Sequence, residues 1–155
     1  MQTTKRPRVL QAGEGMKLHV MDVLFNYKVT SQDTDGLYAL AEGVVPAQRG
    51  VPLHTHHRED EAFYILEGEF EIECNGEKFR ATAGAFALLP KHLPHRFTNL
   101  LDTPGRLLCV QSPGGVEEFF AHLAVLAQNG PPDAKKVKEL TQRYDIEFPR
   151  RPPEM

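Results

Sequence analysis

The chain has 155 residues, of which 41% are hydrophobic and 25% are charged, and its formal net charge is −3. This length favours a single domain, residues 1–155, with a full hydrophobic core. The slightly acidic balance argues against nucleic acid as the main partner, because phosphate binding requires a basic surface. A basic pair, Arg150-Arg151, stands among prolines and is interpreted as a solvated tail.

Membrane insertion and secretion are not predicted. No apolar run approaches the roughly 18 residues that a membrane-spanning helix needs. The N-terminal residues MQTTKRPRVL include basic side chains but no apolar segment behind them, so we predict no signal peptide. Cys74 and Cys109 form no CxxC motif. We therefore expect reduced, buried or half-buried thiols in a cytoplasmic protein.

The first predicted elements are strands. Residues 22–30, DVLFNYKVT, alternate apolar and polar side chains with a period of two. The turn residues SQDTDG follow, and LYALAEGVV predicts a second strand that ends at PAQRG.

A hairpin is predicted for residues 69–81, EFEIECNGEKFRA. Its Asn75-Gly76 dipeptide favours a two-residue type I′ turn. This turn places Ile72 opposite Phe79, so apolar side chains are expected to meet on one face.

Three short strands are predicted next, at AFALL, HRFTN and RLLCVQ, and this spacing is typical of an all-β sandwich or barrel. Helical periodicity begins after SPGG, where VEEFFAHLAVLAQNG carries one apolar stripe. PPDAKKVKELTQRYDI predicts a second helix with a weaker apolar face. We expect a barrel over about residues 20–112 and helices over about residues 115–146 that pack on it.

Three histidines fall within four positions of the stretch HTHHREDEAFYILEG. Alternate side chains of a strand point the same way, so His54 and His56 share a face and His57 points away. Two histidines at i and i+2 grip a metal ion at two points. Such pairs also arise by chance, so the pair alone is weak support for a metal site.

The context strengthens this interpretation. Glu61 has the same strand parity as Phe63 and Ile65, and a carboxylate directed into a core is unfavourable unless it is paired or metal-bound. The segment GAFALLPKHLPHRFTN repeats the situation, because His95 has the same parity as Phe97.

These residues resemble the two motifs of the cupin superfamily. The motifs read His54-x-His56-x4-Glu61-x6-Gly68 and Gly84-x5-Pro90-x-His92-x2-His95-x3-Asn99. The short segment between them resembles small single-domain cupins. TDGLY before the barrel and PGGVEEFF after it resemble the small cupins that are similar to quercetin dioxygenase.

The sequence departs from the family pattern at two points. Three residues separate Gly50 from His54, where five are usual. His92 stands where glycine is usual, at a turn that we expect to need a positive φ, which histidine tolerates better than most residues. His92 is interpreted as a turn residue or as part of the pocket rim.

The resemblance implies a cupin jelly-roll β-barrel with C-terminal α-helices. It also implies one divalent transition metal per chain, Fe, Mn, Ni, Co, Cu or Zn, held by His54, His56, Glu61 and His95. A homodimer paired through barrel edge strands is implied as well. The alternative for the four side chains is a hydrogen-bonded polar cluster in a barrel that has lost its metal.

Two classes of function follow. The first is a metal-dependent dioxygenase of the quercetinase type, which binds dioxygen and a small enolizable or aromatic substrate and uses Glu61 as the base. A metal-dependent isomerase or decarboxylase is the alternative enzymatic function. Phe63, Ile65 and Phe97 are expected in the core and are candidates for the substrate pocket. The second class is a non-enzymatic, metal-bearing barrel that binds a small molecule.

The remaining polar side chains near the site are expected to be exposed. Glu59 and Asp60 are interpreted as solvated loop acids, and His57 as an exposed residue. His19 and His122 are interpreted as surface residues.

Overall fold

The structure is a computed structural model that describes residues 5–149. The basic pair Arg150-Arg151 lies outside the described residues. Within them the chain forms eleven strands and two helices, in the order β1 (Met16–Val20), β2 (Val23–Val29), β3 (Ala39–Val45), β4 (Thr55–His56), β5 (Asp60–Glu67), β6 (Glu69–Cys74), β7 (Glu77–Thr82), β8 (Phe86–Leu89), β9 (His95–Asn99), β10 (Gly105–Ser112), α1 (Val116–Leu126), α2 (Ala134–Tyr144) and β11 (Ile146–Glu147).

The strands form an antiparallel jelly roll, as predicted. A six-stranded sheet has the order β1-β2-β3-β10-β5-β8, and a three-stranded sheet has the order β7-β6-β9. Buried side chains from both sheets make one hydrophobic core. One detail is corrected: among residues 5–149 the hydrogen-bonded ladders do not close into a continuous barrel.

The predicted hairpin is confirmed in its register. Ile72 lies opposite Phe79, and the turn residues Asn75 and Gly76 have φ values of 52° and 83°. Both are left-handed, as a type I′ turn requires. Ile72 is buried, but Phe79 is exposed because β7 is an edge strand, so only one member of the pair joins the core.

The sequence prediction missed strands at both ends of the described chain. β1 pairs with β2, so the jelly roll begins before residue 20. The second helix was predicted to run through residue 146, but it ends at Tyr144, because Asp145 adopts a left-handed φ of 56°. The chain then turns, and Ile146–Glu147 pairs with β4.

The two helices cover one end of the jelly roll. The Phe120 ring of α1 stacks on Phe25 of β2, with ring centroids 5.9 Å apart. Phe119 packs with Tyr144 of α2 and with Ile146 in a second apolar cluster. None of the helices within residues 5–149 is long and apolar enough to cross a membrane. Both cysteines are free thiols; Cys109 is buried and Cys74 half-buried, as predicted.

Candidate metal centre

The four side chains that the sequence grouped by strand parity converge in the structure: His54, His56, Glu61 and His95. One potential ligand atom from each lies within 4.8 Å of the others, and all four residues are buried. The first two stand at β4, Glu61 on β5 and His95 at the start of β9. Two distant segments therefore supply the donors of one site.

Two of the imidazoles are oriented by backbone carbonyl oxygens. His54 Nδ1 lies 2.7 Å from the carbonyl of Pro52, and His95 Nδ1 lies 3.1 Å from the carbonyl of Leu93. A carbonyl oxygen only accepts hydrogen bonds, so each Nδ1 carries a proton and donates. In the neutral ring, each Nε2 then presents its lone pair to the site, which is the tautomer that metal binding requires.

The third imidazole has a carboxylate in place of a carbonyl. His56 Nδ1 lies 3.4 Å from Glu59 Oε2. Glu59 is buried, so its interpretation as a solvated loop acid is wrong. The chain bends at His57 and Arg58, and this bend turns Glu59 back onto His56. Asp60 is exposed, as expected, and accepts a hydrogen bond from the Lys91 backbone.

The distances between the Nε2 atoms and the Glu61 carboxylate indicate whether these residues fit a metal ion. His54 Nε2 and His56 Nε2 are 3.1 Å apart, and His95 Nε2 is 2.7 Å from Glu61 Oε2. Two lone pairs that face each other at this distance repel unless a cation or a proton lies between them. Three imidazole nitrogens and one carboxylate are a donor set that suits a divalent transition metal. The residues therefore fit the metal that the sequence predicts.

The pKa values describe how the cluster shares charge. Burial, with the neighbouring His56 and His95, lowers the pKa of His54 to about 3. Burial also acts to lower the pKa of His56, but the carboxylates of Glu61 and Glu59 outweigh it and raise that pKa. Burial acts to raise the pKa of Glu61, and the surrounding imidazoles bring it well below its ordinary value. Glu61 is therefore ionised at neutral pH.

A buried hydrogen-bond chain orients the Glu61 carboxylate. Gln111 Nε2 donates to Glu61 Oε1 over 2.8 Å, and Tyr27 donates its hydroxyl to Gln111 Oε1 over 3.3 Å. The Cys109 thiol lies 3.9 Å from the same carboxylate oxygen. Neither Gln111 nor Tyr27 was predicted from the sequence as a site residue. Strand parity could have predicted that Gln111 points inward, because it has the same parity as the buried Cys109 on β10.

Two small cavities, each about 20 Å³, flank His54. The inner cavity touches Glu61, Phe63 and Phe97, and its volume suffices for about one water molecule. The second cavity, called the outer cavity, is lined by Phe119 and Phe148, and Phe120 lines both cavities. Ile65 is buried in the core and lines neither of them.

His57 and His92 lie beside the centre rather than in it. His57 points away from the metal ligands, as predicted, but it is half-buried rather than exposed. Its Nδ1 lies 2.9 Å from His92 Nδ1, and its Nε2 lies 3.0 Å from Glu147 on β11. His92 has a φ of 71°, which confirms the positive φ expected at this turn. His19 and His122 are exposed, as predicted.

Comparisons with known proteins agree with this geometry. Residues 42–111 match the family model described as Cupin domain. The uncharacterized protein MJ1618 of Methanocaldococcus jannaschii is 35% identical over 75 residues, which are 48% of this chain and 60% of that protein. Quercetin 2,3-dioxygenase of Bacillus subtilis is 30% identical over 118 residues, which are 76% of this chain and 34% of that protein. The chain thus spans less than two thirds of the first and about a third of the second.

A solved structure described as a predicted oxalate decarboxylase, from Thermotoga maritima, superimposes with a TM-score of 0.64. It is 22% identical, and the match covers 68% of this chain and 99% of that one. This likeness supports the jelly-roll fold alone.

Proposed function

The chain belongs to the cupin superfamily, and from this premise we propose that it is a metal-dependent dioxygenase that acts on a small enolizable or aromatic substrate. One observation carries the proposal: three imidazole Nε2 atoms and the Glu61 carboxylate converge in a buried, aromatic-lined chamber. The similarity to a quercetin dioxygenase supports the reaction class.

We propose that His54, His56, Glu61 and His95 hold one divalent transition metal, of which Fe, Mn, Ni, Co, Cu and Zn are the candidates. When bound, such an ion supplies a Lewis acid that polarises oxygen atoms of the substrate. Dioxygen is the proposed co-substrate.

Glu61 is the proposed base that accepts the hydroxyl proton of the substrate. Its Oε1 is held by Gln111 and its Oε2 lies beside His95, so both oxygens have fixed directions. A fixed, ionised carboxylate at the edge of the inner cavity accepts a proton without first reorienting. Tyr27 supports this arrangement through its hydrogen bond to Gln111.

The walls of the chamber favour an apolar substrate. Phenylalanines line both cavities, and no lysine or arginine of residues 5–149 does so. A sugar phosphate therefore lacks a cationic partner there, whereas an aromatic ring finds matching surfaces. Val51, His54 and Phe120 line both cavities, so the two cavities are neighbours beside the proposed metal site.

The proposal includes a homodimer. Among residues 5–149, β8 is an unpaired edge of the six-stranded sheet, and its outward side chains Phe86 and Leu88 are 65% and 60% exposed. Tyr64 lies opposite Phe86 on β5 and is also exposed, so a second copy would cover a continuous apolar strip. The single-domain assignment, the cytoplasmic location and the lack of a nucleic-acid partner stay predictions.

Oxygen consumption tests the proposal. The protein is loaded separately with iron, nickel and cobalt and assayed in an oxygen electrode against flavonols and diketones, with His95→Ala as the control. We expect uptake by at least one metal form of the parent and a large loss in the variant. Absence of uptake across the panel, with metal occupancy verified, would contradict the dioxygenase proposal.

A non-enzymatic binding module is the second candidate. The observation that favours it is the size of the inner cavity, which holds about one water molecule rather than a substrate. A metal-loaded protein that binds a flavonol but neither consumes oxygen nor releases a product would support this candidate. Release of a product without oxygen uptake would instead indicate isomerase or decarboxylase chemistry.

A further inference from the structure

Glu59 is a buried carboxylate with an unusual environment. The residue is 4% exposed. Within residues 5–149, neither its Oε2 atom nor His56 Nδ1 has a hydrogen-bond partner. These two unpartnered atoms lie 3.4 Å apart, and both are shielded from water. A buried polar atom without a hydrogen bond is unfavourable, and each of these two atoms is a candidate partner for the other.

The other two imidazoles of the centre show what His56 lacks. His54 and His95 each direct Nδ1 at the carbonyl two residues earlier in the chain. For His56, the carbonyl two residues earlier belongs to His54, and it already accepts a hydrogen bond from the His95 backbone over 2.9 Å. His56 Nδ1 lies instead beside the Glu59 carboxylate, at 3.4 Å.

We propose that Glu59 is a positioning residue for the metal centre: it accepts the His56 Nδ1 proton and so directs the His56 Nε2 lone pair at the metal. This inference rests on the proposed metal site and adds to it a residue outside the four ligands. The present separation exceeds an ordinary hydrogen bond of about 3 Å by a few tenths of an ångström, so a small movement of either side chain makes the bond.

The charge of Glu59 serves the same site. A divalent cation among neutral imidazoles and Glu61 alone leaves one positive charge in a buried environment. The second carboxylate, at Glu59, brings the formal charge of the centre to zero, which lowers the penalty for burying the ion. A carboxylate also polarises an imidazole more strongly than a carbonyl does, and this makes the ligand more basic.

Cobalt binding tests the proposal directly. The variants are Glu59→Gln, which keeps the shape and an acceptor oxygen but removes the charge, and Glu59→Leu, which removes both. Glu77→Gln is the matched control, because Glu77 is an exposed glutamate beside the hairpin turn. Cobalt affinity is measured by competition with a chelator, and the visible absorption of the bound ion reports its ligand environment.

We expect Glu59→Leu to bind Co²⁺ about 10–100-fold more weakly than the parent and to change the visible spectrum. The Co²⁺ affinity of Glu59→Gln should lie between those of Glu59→Leu and the parent, and the affinity of Glu77→Gln should equal that of the parent. Circular dichroism of the metal-free proteins identifies the folded samples, and affinities are compared among these. A purely structural role would lower the melting temperature of the metal-free variants without changing the affinity or spectrum of the folded protein.

The outcomes separate the two proposals. A parent that binds no Co²⁺ overturns the metal site itself, and with it the role of Glu59. A parent that binds Co²⁺, together with folded Glu59 variants of equal affinity and identical spectrum, overturns the positioning role and leaves the metal site standing.

Discussion

His54 and His95 are joined through their backbones as well as through the site. His54 N donates to the His95 carbonyl over 3.1 Å, and His95 N donates to the His54 carbonyl over 2.9 Å. Their imidazole centroids lie 4.6 Å apart. This isolated antiparallel bridge ties the two halves of the metal centre together. The folded backbone therefore fixes the separation of these two histidines.

The first prediction is that one metal ion binds per chain and that His95→Ala weakens its binding by at least about 100-fold. The reason is that loss of a direct ligand should cost more than the 10–100-fold typical of groups that orient ligands. Elemental analysis gives the stoichiometry, and competition with a chelator gives the affinity. His19→Ala is the control, because His19 is exposed on β1. Equal affinity of His95→Ala and the parent would remove His95 from the ligand set.

The second prediction is that the metal-free protein stays folded. The core of the two sheets includes large buried apolar side chains such as Phe70, Phe97 and Leu107, and burial of apolar surface stabilises the fold without an ion. Metal at 100 times its dissociation constant should add about 2.7 kcal/mol to the free energy of unfolding. For a chain of this size that corresponds to about 5–10 °C in melting temperature. A chelated sample that is unfolded at room temperature would show that the ion is needed for folding.

The third prediction concerns Gly50, where the spacing to His54 departs from the family pattern. A Cβ atom at this position would overlap the Phe97 carbonyl oxygen and lie 2.9 Å from Thr98 Cα. Gly50→Ala must therefore displace backbone rather than a side chain, and we expect a loss of about 3 kcal/mol in the free energy of unfolding. The same shift should weaken metal binding, because β9 begins with His95.

Gly13→Ala is the control for this experiment. Gly13 has a φ of 81°, but a Cβ atom there would meet nothing within 4 Å. Its substitution should cost only the backbone conformation, about 1 kcal/mol. Urea denaturation of the metal-free proteins measures both changes. Similar losses for the two variants would mean that the close approach of Gly50 to β9 is relaxed in solution.

The shared direction of the site side chains and the register of one hairpin could be predicted from local patterns, whereas the jelly roll and the metal-binding role of these side chains were implied by the resemblance to the cupin motifs. Strand parity groups His54 with His56, and the same rule places Glu61 and His95 inward. The Asn75-Gly76 turn fixes the register of one hairpin from two residues. These rules act over a few positions and need no knowledge of the distant chain.

The features that the sequence did not predict depend on tertiary structure. β11 has two residues and exists because β4 offers an edge beside it, so periodicity could not reveal it. The sequence predicted Glu59 to be an exposed loop acid, but the bend at His57 and Arg58 directs its side chain into the interior. Gln111 gains its role from Glu61 and Tyr27, which lie on two other strands.

The fourth prediction is that Tyr27 makes the protein less stable at alkaline pH. Burial, together with Cys109, Glu117 and Glu61, raises the Tyr27 pKa well above its ordinary value of 10.0. Above pH 10 the unfolded chain releases this proton and the folded chain keeps it, so the free energy of unfolding falls as pH rises. One proton contributes at most about 1.4 kcal/mol per pH unit.

Tyr27→Phe should remove this contribution, so the free energy of unfolding should depend less steeply on pH above pH 10. The variant should also lose about 1 kcal/mol of stability at neutral pH, because the hydrogen bond to Gln111 is absent. Tyr64→Phe is the control, because Tyr64 is 45% exposed. Urea denaturation at a series of pH values gives the slopes. Identical slopes for the parent and Tyr27→Phe would show that Tyr27 ionises within the folded protein.

The last prediction separates the two roles proposed for Glu61. If Glu61 serves only as a ligand, Glu61→Gln should weaken metal binding, and oxygen uptake should return when the metal is saturating. If it is also the base, uptake should stay about 10²–10⁴-fold below the parent at full occupancy, because an amide cannot accept the substrate proton. Elemental analysis establishes occupancy before uptake is measured with a flavonol.

Gln111→Leu is the companion variant for that experiment. It removes the donor to Glu61 Oε1 but leaves the carboxylate and the three imidazoles in place. If the base must be held in one orientation, Gln111→Leu should lose part of the turnover while its metal affinity changes little. We expect turnover at saturating metal to decrease in the order parent, Gln111→Leu, Glu61→Gln. Near-parental uptake by metal-saturated Glu61→Gln would exclude the base role and leave Glu61 as a ligand alone.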